Sequence, residues 1–403
     1  MCLPTCSCSC FYKLHTQYSN INAMLKPLPL QTARLLGRSP FPGWGEPDYV
    51  TTARSSRMAY RQLGPVTGTP WLVLHGGPGS GSQPDLLHAF QLDRHWVIVP
   101  DQRGAGLSSP HGRTAGNHTD QLVADLECLR LKLGIERWSL LAGSWGAVLA
   151  LCYARRHPQR VERLVLRGAF GLRRAEIRGL LHPHPIRERA VAHQSHWPRS
   201  PLSGGPRVLA RLEQVLQVGA PRVAVLRLIR CWGLLEQGAA LHGMWRSMVH
   251  AASLRDQLLA SEIRQNWAQL RRKRRQAEVG LNRPGIRQAD RRGWQKFRLQ
   301  SHYLRHKGFL RPGDLDRAVR ALAKQGLPSD WLHGQFDAVC PPGNSQRWVK
   351  QIQGLQPGLA RGHWPVAGHL AGEPAMRTAL RCVVQSQPVT ASQLAAVPAS
   401  SVS

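Results

Sequence analysis

The feature that most constrains the fold of this chain is an alternation between short apolar runs and helical segments. Apolar runs of strand length occur at residues 71–74, 96–99, 138–141 and 161–166. A segment that begins near Thr119, between the second and third runs, has leucines at helical spacing. Short strands without polar alternation are covered on both faces, and strands that alternate with helices pair in parallel. The pattern therefore predicts an α/β fold with a mostly parallel sheet.

The alternation stops after the fourth run and resumes much later. Residues 171–327 have helical periodicity and Arg-rich stretches but no clear strand, and apolar runs return at 331–334 and near 364–366. A helical insertion of this length between two strands is expected to form a cap over the sheet. The predicted organisation is listed in chain order: a disordered N-terminal extension (1–40), a first core segment (41–170), a helical cap (171–327), a second core segment (328–385) and a flexible tail (386–403).

The charge of the chain suggests a nucleic-acid partner, and the distribution of that charge argues against one. There are 54 Lys and Arg residues against 23 Asp and Glu, a formal net charge of +31. Most of the excess is Arg, it is spread along the chain, and one dense run occupies residues 271–275. No zinc-finger spacing or aromatic RNA-binding signature accompanies it. We therefore expect no nucleic-acid partner, and since no run of about 18 apolar residues occurs, no membrane-spanning helix.

The nine cysteines divide into a cluster and scattered single residues. Four lie within the first ten residues, at a Cys-x-Cys spacing that zinc sites do not use. That segment also lacks the basic start and apolar stretch of a signal peptide. The other five stand alone in apolar surroundings, which is typical of reduced core cysteines. We therefore predict a cytoplasmic protein that needs no metal and no cofactor.

Ser144 lies where the run at 138–141 ends and a helix begins, in Ala142-Gly-Ser-Trp-Gly146. This is the position of a nucleophile elbow, the sharp turn of α/β hydrolases with the pattern Gly-x-Ser-x-Gly, from which Ala142 departs. The first helical amide, that of Trp145, would point at a developing oxyanion. A second donor is expected from the amide of Gly76 or Gly77, in a glycine-rich turn after an earlier strand.

The general base and its orienting acid are expected to follow the nucleophile in the order acid, then His. Asp337 comes just after the strand at 331–334, and His369 follows the next strand, so both belong at the carboxyl edge with Ser144. Three other candidates are expected at the opposite edge or packed within the core: Asp330, His333 and His363. The predicted catalytic triad is therefore Ser144, Asp337 and His369.

Several motifs together resemble the proline iminopeptidase (prolyl aminopeptidase) family of α/β hydrolases. The matching pieces are His75-Gly-Gly-Pro-Gly79, Asp101-Gln-Arg-Gly104 with Ser108, Gly143-Ser-Trp-Gly146, His157-Pro158, Gly334-Gln-Phe-Asp337, and Gly368-His369 with Glu373-Pro374. The resemblance spans roughly residues 45 to 385. It implies a serine peptidase that releases N-terminal proline from peptides, with the helical insertion as the cap over the site.

The resemblance also implies carboxylates in the cap that recognise the free imino group of the substrate. The family's Trp-x-x-Trp-Glu motif is matched at Trp232 and Glu236, with Leu235 in place of the second Trp. A second family glutamate is replaced by Gln300, which accepts hydrogen bonds but carries no charge. Glu236 and Gln300 are thus the predicted amine-recognition residues. The alternative, that Glu236 is a solvated helix residue, stays open.

Two other functions are compatible with the sequence. An esterase or amidase of the same fold would act on small acyl groups without recognising an amine. A basic nucleic-acid-binding protein on a hydrolase scaffold would use the Arg excess instead. For the peptidase we expect that excess on the cap and outer helices, near residues 271–275, and away from a pocket that must admit a cationic N-terminus.

Overall fold

Eight strands in the described part of the chain form one mixed sheet. The computed structural model describes residues 44–181, 205–217 and 223–386, and nothing below concerns the side chains of residues 205–207, 223 and 224. The chain divides at Gly45 into two compact units, and the described residues from Glu46 onward belong to the second. The strands are β1 Asp48–Thr52, β2 Ser56–Leu63, β3 Thr69–Leu74, β4 His95–Pro100, β5 Trp138–Gly143, β6 Val161–Arg167, β7 Ser329–Leu332 and β8 Ala360–His363.

The strand order is β1-β2-β4-β3-β5-β6-β7-β8. All neighbours from β4 to β8 pair in parallel, whereas β1 and β2 form an antiparallel edge. All six residues of β5 are buried, as are the last four of β3, because helices cover both faces of the central sheet. The predicted α/β fold with a mostly parallel sheet is confirmed.

Two details of the sheet differ from the sequence prediction. The strands β1 and β2 were not predicted, since β2 carries Arg and Gln among its apolar residues and the two precede the first apolar run. The strand predicted near 364–366 was placed wrongly, because β8 ends at His363 and the residues after it form a loop. Pro365 in that loop has no N–H to donate to a ladder, while the short strand itself reads Ala-Arg-Gly-His.

Helices occupy two regions around the sheet. Those of the sheet layers are α1 Thr119–Lys132, α2 Trp145–Arg156, α8 Asp314–Lys324, α9 Gly343–Leu355 and α10 Pro374–Gln385. Those between β6 and α8 are α3 Arg174–Leu181, α4 Gly205–Gln217, α5 Val223–Ser253, α6 Gln257–Val279 and α7 Gln288–Arg305. Every regular element described between β6 and β7 is thus helical.

Of the helices between β6 and β7, α8 packs against different partners from the rest. The long helices α5 and α6 lie against each other, and α7 packs on α4 and α5. By contrast, α8 packs on α2 and α9, which cover the sheet. The predicted cap range of 171–327 therefore includes one helix that lies in the sheet layer, and the domain boundaries stay predictions.

Some predictions fall on residues that the structure does not describe. The N-terminal extension at 1–40, with its four cysteines, lies outside the described residues, and so does the predicted tail after Ser386. The five cysteines within the described ranges are free, although only Cys231 and Cys340 are buried and Cys382 is exposed. Among the described helices, none combines the length and apolarity needed to cross a membrane.

Candidate active site

Ser144 forms the turn between β5 and α2 at the carboxyl edge of the sheet. Its backbone has φ 56° and ψ −120°, a left-handed conformation that a residue with a side chain adopts only under constraint. Gly146 permits this turn, since a Cβ there would lie 2.4 Å from the Leu74 carbonyl oxygen. Ala142, the departure from the elbow pattern, is fully buried within β5. The local geometry is that of a strained strand-to-helix turn that exposes one hydroxyl.

Asp337 and His369 are brought together in the loops after β7 and β8. His369 Nδ1 lies 2.7 Å from Asp337 Oδ2, and the aspartate side chain is fully buried. The other carboxylate oxygen, Oδ1, accepts hydrogen bonds from the backbone N–H groups of Val339 and Cys340 at 2.9 and 2.8 Å. With both oxygens held, the carboxylate fixes one orientation of the imidazole ring.

The electrostatic state of Asp337 follows from its partners. Burial by itself would raise the pKa of this carboxyl, but attraction to His369 and hydrogen bonds from His333 and His369 hold the pKa well below its usual range. His333 comes directly after β7 and its ring Nε2 is 3.3 Å from Asp337 Oδ2, so it lies at the catalytic edge. The ring is packed and fully buried, as expected, but it contacts the aspartate of the predicted triad, which the sequence analysis did not expect.

Ser144 and His369 line one cavity of about 270 Å³ between the sheet edge and the helices above it. Ser144 Oγ lies 3.8 Å from the Cys340 sulfur, and in this structure it is hydrogen-bonded there rather than to His369. Burial raises the pKa of the Cys340 thiol well above its usual range, so the sulfur stays protonated beside the hydroxyl. The predicted nucleophile and base thus share a cavity, with the hydroxyl turned toward Cys340.

The predicted oxyanion donors surround Ser144. A Cβ on Gly76 would lie 3.2 Å from Ser144 Cβ, a tight contact that a glycine avoids. Gly77 has φ +122°, which favours glycine. Among the described residues, the Gly76 and Gly77 amides donate to no other group, and Trp145 N is the first amide of α2. Gly76 therefore adjoins the Ser144 side chain, Gly77 lines the same cavity and Trp145 directly follows Ser144, and their role as oxyanion donors stays a prediction.

Gln102 connects the glycine-rich loop to the elbow. Its backbone N–H donates to His75 Nε2 at 3.0 Å, and its side-chain amide donates to the His75 carbonyl at 2.8 Å. The same side chain accepts a hydrogen bond from the Trp145 indole at 3.0 Å. Sequence reasoning gave Gln102 no role, and its position in the Asp-Gln-Arg-Gly motif was the available signal.

Glu236 on α5 and Gln300 on α7 line the same cavity as Ser144 and contact each other. Gln300 Nε2 donates to Glu236 Oε1 at 2.9 Å, and the other amide atom, Oε1, is buried without a partner in the described part of the chain. Glu236 also forms an ion pair with Lys296 of α7, through Oε2 and Nζ. Lys296 is one helical turn before Gln300, and that spacing was the signal that sequence reasoning missed.

A second cation, Arg167, also lines this cavity at the end of β6. Its guanidinium donates to the His369 carbonyl, and burial lowers its pKa, opposed by the nearby Asp337. The expectation that basic residues lie away from the pocket was therefore wrong at two positions, Arg167 and Lys296. It holds for the run at 271–275, which does not line the cavity.

Glu373 supports the loop that carries His369. Its two carboxylate oxygens accept hydrogen bonds from Gly368 N at 2.7 Å and from Leu370 N at 2.9 Å, the amides on either side of His369. Burial raises the pKa of this carboxyl to about 7, although those two hydrogen bonds oppose the shift. The sequence analysis named Glu373 within a family motif but assigned it no role in the site.

One group of residues within the described ranges has the composition of a metal site. Ligand atoms of Glu213, His302 and His306 lie within 4.8 Å of one another. However, the two His302 ring nitrogens face Glu213 Oε1 at 2.9 Å and the Asn117 carbonyl at 3.0 Å, and Glu213 also pairs with Arg305. Both ring nitrogens of His302 and both carboxylate oxygens of Glu213 thus already have protein partners. We interpret the group as a hydrogen-bonded ion cluster.

Comparison with known proteins agrees with this geometry. The family described as "alpha/beta hydrolase fold" matches residues 69–373. Proline iminopeptidase of Xylella fastidiosa (strain 9a5c) is 31% identical over 342 residues, which cover 82% of this chain and 92% of that protein. A putative proline iminopeptidase of Mycoplasma pneumoniae is 27% identical over 345 residues, covering 84% and 97%.

Among solved structures, an alpha/beta hydrolase enzyme from a Medee basin deep-sea metagenome library superposes with a TM-score of 0.52. It has 13% sequence identity and covers 84% of this chain and 95% of its own, so this likeness concerns the fold alone. The extent of the family match and the identity to the Xylella protein settle the membership. The chain belongs to the proline iminopeptidase family of α/β hydrolases.

Proposed function

We propose that the protein is a serine aminopeptidase that releases N-terminal proline from peptides. The observation that carries the proposal is one cavity lined by Ser144, by the His369 ring held on Asp337, and by the Glu236–Gln300 pair. The first three groups serve acyl transfer, and the last two lie where an N-terminal imino group would be bound. The names of the Xylella and Mycoplasma relatives support this substrate class.

The mechanism we propose begins with a rotation of the Ser144 side chain from Cys340 toward His369 Nε2. His369 then removes the hydroxyl proton while Oγ attacks the carbonyl carbon of proline, and Asp337 stabilises the imidazolium that forms. The carbonyl oxygen becomes an oxyanion, for which the Gly76, Gly77 and Trp145 amides are the donors. His369 returns the proton to the leaving amine, the C–N bond breaks, and a prolyl ester on Ser144 remains.

Water completes the cycle by the same route. His369 accepts a proton from the water as its oxygen attacks the ester carbonyl, and the Ser144 oxygen leaves with that proton. The products are free proline and a peptide shortened by one residue. No group outside this set of side chains and amides is needed for the proton transfers.

Recognition of the substrate's N-terminus is assigned to Glu236 and Gln300. A protonated imino group has two N–H donors, and the Glu236 carboxylate and the free Gln300 Oε1 are acceptors on two helices of the same cavity. A charge-assisted hydrogen bond of this kind contributes more than one between neutral groups. Internal peptide bonds lack the cation, so this arrangement favours cleavage after the first residue.

An esterase or amidase that ignores the amine is the second candidate. The observation in its favour is that Glu236 is already paired with Lys296 and that Gln300 adds no charge, so the amine end of the cavity carries little net negative charge. Such an enzyme would use the same nucleophile and base. The two candidates therefore differ only in how they treat substrates with a blocked N-terminus.

The proposed catalytic roles are tested by comparing the wild type with Ser144→Ala. We expect the wild type to release 2-naphthylamine from L-proline β-naphthylamide, and the variant to lose kcat by roughly 10⁴-fold or more, as removal of a serine nucleophile does elsewhere. A fluorophosphonate probe should label the wild type at Ser144 and leave the variant unlabelled. Equal turnover by the folded variant, or labelling at another serine, would contradict the assignment.

A further inference from the structure

Lys296 forms an ion pair with Glu236, the carboxylate that we assign to the substrate's imino group. Its ammonium pairs with Glu236 Oε2, while Oε1 of the same carboxylate accepts a hydrogen bond from Gln300. The side chains of Lys296 and Glu236 are 26% and 25% exposed, so the pair is partly shielded and lies in the wall of the active-site cavity. Neither oxygen of the one acidic group assigned to amine recognition is therefore unoccupied.

The charges around this pair make the competition direct. The Lys296 ammonium and the N-terminal cation of a substrate carry the same charge and require the same acceptor. Two cations held within a few ångströms in a partly shielded cavity repel each other, and Gln300 provides no second negative charge to offset them. Binding of the substrate's cation next to a resident ammonium is thus less favourable than binding in its place.

The side chain of Lys296 is able to leave. Lysine has a flexible four-carbon stem and a compact charge, and it holds Glu236 by one contact rather than by the two parallel bonds of an arginine. Its Nζ also lies 4.9 Å from the centre of the Phe297 ring, and that ring is stacked on Trp232 at 4.6 Å. The aromatic face offers the ammonium an attraction that does not depend on Glu236.

We propose that Lys296 is a specificity-determining residue, which holds Glu236 in the free enzyme and is displaced when the N-terminal imino cation of a substrate binds. The inference rests on the proposed function, because it assigns Glu236 to the substrate's amine. Each binding event exchanges one cation for another on Glu236. The affinity for free N-terminal proline is therefore lower than Glu236 and Gln300 alone would give.

The test removes the resident cation and measures KM. Lys296→Met keeps the length and apolar stem of the side chain but not its charge. We expect KM for L-proline β-naphthylamide to fall roughly fivefold relative to KM for 4-nitrophenyl acetate, the size expected for loss of one partly exposed ion pair. Lys296→Arg keeps the charge and should keep the wild-type ratio of the two KM values.

A matched control is available on the same helix. Arg292 is exposed on α7 and does not line the cavity, so Arg292→Met removes one positive charge without touching the site. This variant should have the wild-type ratio of KM values. If Arg292→Met and Lys296→Met lowered the ratio equally, a long-range charge effect would explain both, and the proposal would be overturned.

An unchanged or raised KM ratio in Lys296→Met would also overturn the proposal, because the lysine would then help to orient Glu236 for the substrate. A second measurement does not depend on turnover. L-prolinamide should bind to Ser144→Ala, as measured by calorimetry, and bind roughly fivefold more tightly when Lys296→Met is added. Equal affinities would contradict displacement. Failure of the wild type to cleave the proline substrate, with the affinity difference intact, would reject the proposed function alone.

Discussion

At the scale of single residues, the cavity is governed by a small number of charges. Asp337 is buried and holds His369, while Glu236 is shared between Gln300 and Lys296. The two carboxylates have different surroundings, since Asp337 is fully enclosed and Glu236 is a quarter exposed. One is thus suited to orienting a base and the other to exchanging cations with the solvent.

Replacing Glu236 by Gln tests its part in amine recognition. We expect KM for L-proline β-naphthylamide to rise roughly tenfold or more, as for a lost charge-assisted hydrogen bond, and KM for 4-nitrophenyl acetate to change much less. The variant also leaves Lys296 without its partner, which adds repulsion toward the substrate. The double variant Glu236→Gln with Lys296→Met should therefore recover part of the loss. Equal effects on both substrates would remove Glu236 from recognition.

Glu373 gives the protein a pH dependence that can be measured. The pKa of its carboxyl in the folded state is about 7, against an ordinary value of 4.5. Between pH 4.5 and 7, Glu373 therefore keeps its proton in the folded protein and loses it in the unfolded chain. The resulting stability is fully present below pH 4.5 and is lost as the pH rises through about 7. The shift corresponds to roughly 3 kcal/mol.

The Glu373→Gln variant removes this titration. Its free energy of unfolding should be lower at acidic pH, because one amide beside His369 loses its acceptor, and it should decline less between pH 5 and 8 than that of the wild type. Urea unfolding at several pH values measures both curves. Parallel curves across this range would show that Glu373 does not titrate there.

At the scale of elements, the elbow between β5 and α2 depends on the close passage of β3. The Leu74 carbonyl lies where a Cβ on Gly146 would be, and this contact sets how near α2 begins to the end of the neighbouring strand. Because backbone atoms cannot move aside as a flexible side chain can, a larger residue must displace either α2 or the loop that carries Gly76 and Gly77.

Gly146→Ala is expected to lower the free energy of unfolding by about 1–3 kcal/mol, as overpacking does, and to reduce kcat through the displaced amides. A matched control is Gly233→Ala on α5, where a Cβ would meet nothing within 4 Å. That variant should instead gain about 0.5–1 kcal/mol, because alanine favours the helix. Thermal unfolding of both variants measures the difference, and a Gly146→Ala protein as stable as the wild type would contradict this account.

The elements could be predicted from the sequence where physical signals were local. The apolar runs predicted the central strands. Because the carboxyl ends of parallel strands meet at one edge of a sheet, the residues that follow them, Asp337 and His369, were predicted to lie near Ser144. The strand β2 was missed because its apolar residues are interrupted by Arg and Gln, and β8 was misplaced because its residues are not apolar. The spacing of Lys296 and Gln300 could have placed the lysine on the face of α7 that carries Gln300, but its pairing with Glu236 joins two helices whose packing no local pattern specifies.

At the scale of the whole molecule, the net charge of +31 is compatible with the proposed binding of a cationic N-terminus. The densest basic run lies on α6, where Arg274 is buried and paired with Glu278 and its neighbours are exposed. None of these residues lines the cavity. The charge that matters for the substrate is therefore that of the cavity wall, and the surface charge governs non-specific association instead.

Three exposed residues of this run test that separation: Arg272, Lys273 and Arg275. Replacing all three by Gln should make the protein elute from heparin at lower salt, because fewer counterions are exchanged, and should leave kcat/KM for L-proline β-naphthylamide unchanged at 0.15 M salt. Added duplex DNA should likewise leave the wild-type rate unchanged. A change of kcat/KM in the triple variant, or inhibition of the wild type by DNA, would favour a nucleic-acid partner.

The central claim is that this cavity recognises a free N-terminal proline. The most direct measurement is kcat/KM of the wild type for L-proline β-naphthylamide against its N-acetyl derivative, whose nitrogen carries an acetyl group in place of the charge and the N–H donors. We predict that blocking this nitrogen lowers kcat/KM by roughly tenfold to a hundredfold, the range for a charge-assisted hydrogen bond left unmade. Equal values for the two substrates would contradict the claim and identify an esterase or amidase of the same fold.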